Sequence, residues 1–343
     1  MHPRLEFLSY ELAHTISDNQ LIVCDCYYPK GLNLTHLYSD RVPTPYRSNT
    51  STETVLKWLA DPSEDQPGLG ASTVTCNHWD IDGFLAVWSA CNPEKALEQR
   101  ELIIAAATLG DFREFDHRSP IGLEALKICC LLNAIESKEF CLPFGDLDDA
   151  TIEYQVAVQK FSYFLEHFST WLNDIEAYAD LWSPEYRKVL HDIRAIEQGA
   201  VSITEHPEPE ISIVRSDIPL HYYAIFSHVQ GGAVLTELAS PHYIEFEYRY
   251  ETAVGKLGKQ VLKRIDLTEA ARSLTALEKT SGAEWVFDNI HEGGSMLRPE
   301  HIDKPLSHED RYQSLSYREA QGLLCPTSIK LETVLKNILD CYA

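Results

Sequence analysis

Ser72-Thr73-Val74-Thr75-Cys76-Asn77-His78-Trp79-Asp80-Ile81-Asp82-Gly83 is the stretch on which the reading of the fold turns. Ser72 to Cys76 is short and β-branched and follows the breaker run Pro62 to Gly70, so it reads as a strand. Gly83 to Ala90 then opens a helix through Phe84, Leu85, Val87 and Trp88. Upstream, the apolar run Leu21 to Tyr27 ends at Pro29 and reads as another strand. Thr50-Ser51-Thr52-Glu53 has the pattern of a capping box ahead of Val55, Leu56 and Leu59. Two strand-helix units in succession predict a parallel sheet with helices on its faces.

Leu97 to Leu109 and Leu123 to Ile135 continue the helical series. From Thr151 to Tyr178, Phe161, Phe164, Leu165, Phe168, Trp171, Leu172 and Ile175 fall on one helical face. Ser183 as N-cap, Pro184 at the first helical position and Gly199 beyond the end predict a further helix. Glu205 to Glu210, with two prolines and three glutamates, reads as a linker. Ile211 to Val214, Leu220 to His228, Ala233 to Leu238 and Tyr243 to Val254 then read as antiparallel strands, with Gly231-Gly232 at a hairpin turn. In the last of these, Ile244, Phe246, Tyr248 and Tyr250 alternate with Glu245, Glu247, Arg249 and Glu251, the pattern of a sheet with one wet face. Glu284 to Ile290 reads as a strand between helices at Leu267 to Lys279 and Thr327 to Cys341. The expected organisation is an α/β domain over 1–150, a helical connector over 151–200 and a mixed α+β domain over 201–343.

The chain has 343 residues, 29 Lys plus Arg against 52 Asp plus Glu, and a formal net charge of −23. Such an excess repels phosphate backbones and anionic lipid surfaces, so nucleic acid and membrane are disfavoured as partners. The start carries no uninterrupted apolar segment, and no window reaches the roughly 18 apolar residues of a spanning helix. Nine cysteines, most of them inside apolar runs, read as reduced, buried thiols, and the expected compartment is the cytoplasm. Cys24 and Cys26 lack a second Cys or His pair at zinc-finger spacing and read as small core residues.

Asn77 to Gly83 sits at the end of a predicted strand and just before a helix, where the loops of a parallel sheet line the ligand crevice. His78, Asp80 and Asp82 alternate with Trp79 and Ile81, so an extended backbone would aim all three to one side. One imidazole and two carboxylates converging suit Mn2+, Mg2+ or Fe2+. Capping of the following helix needs only one carboxylate, so three ligand types exceed that role. Gly110-Asp111-Phe112 closes the apolar helix Leu102 to Leu109 and leads through Glu114 to Asp116 and His117, which brings further ligand types near.

His-x-Asp-x-Asp-Gly between strand and helix resembles the first motif of the DHH phosphoesterase superfamily. That resemblance implies a DHH-like, Rossmann-type N-terminal domain and a divalent-metal cofactor, Mn2+ or Mg2+, with as many as two ions. It implies His78, Asp80, Asp82 and Asp111 as metal ligands; His117 or Asp116 is the residue expected to assist proton transfer. The superfamily's naming triplet is absent, Asp116-His117-Arg118 being the nearest approximation, and no Gly-Gly-Gly-His signature occurs in the second half. Asn77-His78-x-Asp80-x-Asp82-Gly83, Gly110-Asp111-Phe112 and Trp285-Val286-Phe287-Asp288 together are similar to an uncharacterised bacterial family of about this length. A rival resemblance takes Asp80-Ile81-Asp82-Gly83 as the nucleophile motif of haloacid-dehalogenase-like phosphatases. Gly145-Asp146 with Asp148 or Asp149 would be its later acidic motif, but Phe84 stands where that family wants Thr or Val.

Arg249 and Arg298 are basic residues in an acidic second half and are the candidates for binding a phosphate group. His36 reads as a surface-loop residue, and His221 and His228, seven apart in a predicted strand, as structural. The expected activity is metal-assisted hydrolysis of a small phosphorylated substrate in a cleft between the two domains. The alternative from another class is a non-catalytic ligand- or partner-binding protein that keeps the fold.

Overall fold

The structure, a computed structural model, describes residues 4–37, 42–140 and 150–342. The chain divides into two compact units, the first running essentially to Tyr186 and the second from Arg187.

The first unit is α/β. Its strands β1 (Glu6–Phe7), β2 (Leu21–Cys24), β3 (Leu32–Leu34) and β4 (Thr73–Thr75) form a wholly parallel sheet in the order β1-β4-β2-β3. All four residues of β2 are buried, as befits a central parallel strand covered on both faces. β2 stops short of the run that predicted it because Asp25 takes a left-handed conformation, φ 53°. β1 and β3, two and three residues long, are too brief to show periodicity in the sequence.

Helices α1 (Ser51–Leu59), α2 (Ile81–Cys91), α3 (Pro93–Glu98), α4 (Arg100–Phe112), α5 (Pro120–Glu139) and α6 (Ala150–Asn173) complete this unit, and α7 (Ala179–Glu197) runs across the boundary into the second. Thr50 caps α1 by accepting the Glu53 N–H, as the capping pattern predicts. α6 buries Phe161, Phe164, Phe168 and Trp171 of the predicted stripe, leaves Leu165 and Leu172 half-buried and ends before Ile175. Trp79 stacks among Phe84 and Phe164, with ring centroids 4.8 and 4.3 Å away, which turns the tryptophan into the core and its neighbours His78 and Asp80 away from it. Ser183 and Pro184, expected to start a helix, lie inside α7. The additional N-terminal residues are held by the Trp182 indole N–H donating to the Ile175 carbonyl.

The second unit is a six-stranded mixed sheet. Strands β5 (Ser202–Pro207), β6 (Glu210–Ser216), β7 (Ala233–Leu238), β8 (Tyr243–Tyr248), β9 (Ala283–Phe287) and β10 (Met296–His301) lie in the order β5-β6-β7-β8-β10-β9, antiparallel except for β6 with β7. Its helices are α8 (Tyr222–Phe226), α9 (Glu251–Val254), α10 (Thr268–Leu277), α11 (His308–Tyr312), α12 (Leu315–Ala320) and α13 (Leu331–Tyr342). Glu205 to Glu210 is a β5–β6 hairpin rather than a linker. The expected strand Leu220 to His228 is instead the crossover containing α8, which parallel β6 and β7 require. His221 caps α8 with its side chain accepting the Tyr223 N–H. Ile244, Phe246 and Tyr248 pack with α10 and α13 on one face. The other face of β8 is not wet. Glu245 and Glu247 are buried there, and Arg318 of α12 binds Glu245.

Among the described residues no helix is long and apolar enough to cross a membrane.

Candidate functional site

The carboxyl ends of β2, β3 and β4 in the first unit each deliver ligand-type side chains to one place. Asp25 follows β2, His36 lies two residues beyond β3, and Cys76, Asn77 and His78 follow β4. Asp80 and Asp82 arrive with the first turn of α2, and Asp111 with the last turn of α4. Asp25 and Arg113, at φ 53° and 55°, are the two non-glycine residues with positive φ among the described residues, and both adjoin this cluster. Strained backbone is tolerated where surrounding structure fixes it, and such positions concentrate at functional sites.

Asp25 is the joint of the cluster. Its Oδ1 accepts the Ser51 hydroxyl at 2.6 Å and lies 3.3 Å from His36 Nδ1, while its Oδ2 lies 3.4 Å from His78 Nε2. His36 is the centre of one half. Its Nδ1 is also 3.3 Å from Asp82 Oδ2 and 3.0 Å from Ser51 Oγ, and its Nε2 faces Asp111 Oδ2 at 3.6 Å. The expectation of a surface-loop histidine is corrected: the His36 side chain is 3% exposed. In the other half His78 Nε2 lies 3.2 Å from Asp80 Oδ2, and His78 Nδ1 is 2.7 Å from Asn77 Oδ1.

Asp82 serves two elements at once. It is buried in α2, yet its Oδ2 and Oδ1 accept the Ser51 and Thr52 N–H groups at 2.6 and 2.9 Å. It therefore sits on the positive N-terminus of α1 as an anion would. Asp80 Oδ1 caps α2 by accepting the Gly83 N–H at 2.6 Å, and its side chain is half exposed. Gly83 is needed for space as well as for entry to the helix. A Cβ there would lie 3.0 Å from Asp25 Oδ2, 3.1 Å from Asp80 Oδ1 and 3.3 Å from Cys76 Sγ. Gly110 has a similar role, since a Cβ would come within 2.6 Å of Ile81, so its absence brings Asp111 close to the start of α2.

Three buried carboxylates and two imidazoles perturb one another strongly. Burial opposes the charge on Asp25, but hydrogen bonds and charge from His36 and His78 hold its carboxyl well below the usual range. Burial would lower both imidazoles. Asp25, Asp82 and Asp111 nevertheless push His36 well above 6.5, and Asp80, Cys76 and Asp25 do the same to His78. Burial first, then the neighbouring charge of Asp25, raises Asp82 above 3.8. Burial and Asp82 raise Asp111 well above it. Left to itself the cluster holds its charge down by keeping protons.

The donor set suits a divalent cation. Asp25, His36 and Asp82 offer ligand atoms that all lie within 4.8 Å of one another, and so do Asp25, Cys76 and His78. Asp111 Oδ2 is a buried oxygen that accepts no hydrogen bond among the described residues. The ion-pair partners of Asp25, Asp82 and Asp111 among the described residues are imidazoles rather than Lys or Arg. Of the four residues expected as ligands, the two groups contain Asp82 and His78, one each. Asp25 is common to both.

The remaining expected site residues lie elsewhere. Asp116 and His117 are in the turn after α4, where Asp116 Oδ1 accepts the Arg118 N–H and His117 packs edge-on to Phe115. Arg249 and Arg298 belong to the second unit and are both buried. Arg298 is held by Asp288 and Glu300, and Arg249 Nε is 3.3 Å from Glu251. The acidic motif at 145–149 required by the haloacid-dehalogenase-like reading lies outside the described residues.

Asp25 and His36 are what sequence reasoning missed. Asp25 interrupts an apolar run, Leu21 to Tyr27, with a charge, and that interruption is the available signal. Over residues 3–343 the sequence matches the model described as Family of unknown function (DUF6687), and the chain belongs to that family. No curated protein and no solved structure matches it.

Proposed function

We propose that the chain is a metal-dependent hydrolase of a small phosphorylated substrate, with Asp25, His36 Nδ1 and Asp82 holding a divalent ion. The observation that carries this reading is the convergence of those three side chains at the carboxyl edge of a parallel sheet. The resemblance of the Asn77 to Gly83 motif to the DHH superfamily supports a DHH-like domain and the phosphoryl class of substrate.

Asp25, His36 and Asp82 would hold Mn2+ or Mg2+, which would supply Lewis acidity toward a phosphoryl oxygen and lower the pKa of a bound water. The chain's own residues prepare the place. The N-terminus of α1 fixes Asp82 through two amide donors, leaving lone pairs free on each oxygen. Asp111, on the far edge of the His36 ring, is aligned to orient that imidazole through Nε2, as carboxylates commonly do for a ligating histidine. Asp80 Oδ2, half exposed beside His78, is the group best placed to hold or pass a proton at the solvent side.

The test is metal analysis of purified protein, with Mn2+ and Mg2+ titrations and assays on bis(p-nitrophenyl) phosphate, p-nitrophenyl phosphate and pyrophosphate. Wild type is expected to bind Mn2+ and turn over at least one of these, and Asp25→Asn to lose about 100-fold or more of that activity. Wild type that binds neither ion overturns the proposal. A second reading, a non-catalytic binding protein that keeps the fold, is favoured by one observation: both Asp82 oxygens already serve α1. Metal bound stoichiometrically without turnover of any of the three substrates selects it.

A further inference from the structure

We infer that the cluster contains a second metal position of different chemistry, formed by Asp25 Oδ2, His78 Nε2 and Cys76 Sγ, with Asp25 bridging it to the first. This rests on the reading of Asp25, His36 and Asp82 as a metal site and specifies what lies beside it. The two carboxylate oxygens of Asp25 face different partners. Oδ1 looks toward His36 at 3.3 Å and Oδ2 toward His78 at 3.4 Å. Two ligand atoms each about 2.0–2.1 Å from a tetrahedral ion stand roughly 3.3–3.4 Å apart, so the spacing of Asp25 Oδ2 and His78 Nε2 suits such an ion in contact with both.

Cys76 completes the second set. Its Sγ lies within 4.8 Å of the Asp25 and His78 ligand atoms, it is buried, and its thiol donates to the His78 carbonyl at 3.2 Å, which holds the sulfur on the ligand side of the β4–α2 loop. An independent observation is the space left by Gly83. The point where its Cβ would stand is 3.0 Å from Asp25 Oδ2 and 3.3 Å from Cys76 Sγ, so any side chain at this position would crowd the donors. Asp80 does not join this group with Asp25, although its Oδ2 touches His78.

The donor types set the preference of each position. Carboxylates with one imidazole suit Mn2+ or Mg2+, whereas carboxylate, imidazole and thiolate suit Zn2+, Co2+ or Fe2+. Filling the second position expels the Cys76 proton to solvent and leaves the thiolate on the ion, with no change of oxidation state. The centre is then a mixed pair, one hard and one borderline cation sharing Asp25.

Cobalt substitution tests this. Co2+ titrated into the metal-free full-length protein should give visible d–d bands together with a near-ultraviolet sulfur-to-cobalt charge-transfer band. Cys76→Ser should lose the charge-transfer band and keep visible bands from the first position. Cys129→Ser, whose thiol donates to the Ala106 carbonyl and is outside the ligand group, should keep both. Visible bands without a charge-transfer band in wild type overturn this inference and leave the first metal position standing. A charge-transfer band that survives in Cys76→Ser overturns it too. No cobalt binding overturns both readings. X-ray absorption of the zinc-loaded wild type needs no variant and must find a sulfur neighbour in the first shell. A shell of nitrogen and oxygen only overturns the assignment even where Cys76→Ser fails to fold.

Discussion

Two buried clusters of charge, one in each unit, solve the same physical problem in opposite ways. In the second unit Arg298, Arg311 and Arg318 bind Asp288, Glu300 and Glu245. Asp288 receives both Arg298 and Arg311, Glu300 also accepts the Leu306 N–H, and Arg318 forks onto both oxygens of Glu245 while its Nε donates to the Gln313 carbonyl. Each carboxylate there meets a permanent cation. In the first unit the ion-pair partners of Asp25, Asp82 and Asp111 among the described residues are His36 and His78, and both are titratable. A buried charge must be paired or must neutralise itself. The second cluster has its charges paired as it stands, and the first keeps protons or could take up a metal.

The largest expected effect breaks the complete cluster. Arg318→Ala leaves Glu245 buried without its cation, and removing one partner of a buried ion pair costs about 3–5 kcal/mol. Urea denaturation of the variant should show that loss, with Mn2+ affinity unchanged. A loss below about 1 kcal/mol would put this pair among exposed ones and blur the contrast between the clusters.

Metal addition sharpens the contrast from the other side. At a free Mn2+ concentration of about 100 times Kd, linkage adds about 2.7 kcal/mol to the wild type. Thermal unfolding should register it and a chelator should abolish it. The pH dependence has a definite sign. His36, His78, Asp82 and Asp111 all have raised values in the folded state, so the stability they contribute is fully present below their unfolded values, 6.5 for the imidazoles and 3.8 for the carboxyls. It is lost as pH rises through the raised values. Asp25 is depressed and acts in the opposite sense, its contribution vanishing only in strong acid. Metal-free protein should therefore lose stability as pH rises above 6.5, the ordinary imidazole value. The stabilisation by Mn2+ should grow over the same window because ligands must shed protons to bind. A Mn2+ effect that shrinks as pH rises contradicts the assignment of His36 as a ligand.

Asp111→Asn separates the two states of the same cluster. Its Oδ2 accepts no hydrogen bond among the described residues, and burial and Asp82 already favour its neutral form, so the metal-free variant should be as stable as wild type or more so. Its metal affinity should fall about 10–100-fold, the usual result of losing a carboxylate behind a ligating histidine. Isothermal titration with Mn2+ measures this directly, and unchanged affinity would remove Asp111 from the centre.

The part of this centre readable in the sequence was the part carried by adjacent residues. His78, Asp80 and Asp82 announce themselves within seven residues, and the strand, turn and helix around them follow from β-branching, Gly83 and the apolar face of α2. Asp25 and His36 come from strands whose pairing partners are distant in sequence. β3 has three residues, with no period to detect, and the loop around it hides His36. The second unit went astray where tertiary cover overrides local pattern. Glu245 and Glu247 alternate like a wet face but are buried, Glu245 against Arg318 of α12. Arg298 follows Gly293-Gly294 and precedes Pro299 like a loop residue, yet it lies in β10, paired with Val286 of β9.

The smallest effect tests whether α1 holds Asp82 or merely adjoins it. Thr50 Oγ1 accepts the Glu53 N–H at 3.1 Å, while the Ser51 and Thr52 N–H groups go to Asp82, so cap and carboxylate divide the free donors of one helix end. Thr50→Ala removes the cap and leaves Asp82 in place, and the expected cost is about 1 kcal/mol, the usual value for a lost N-cap. If α1 owes its position to Asp82, the variant should keep its Mn2+ affinity within about threefold, less than 1 kcal/mol, since the two donors to the carboxylate are untouched. If the Thr50 cap is what positions those donors, affinity and stability fall together. The anchoring of Asp82 then belongs to the α1 cap rather than to the charge of the cluster.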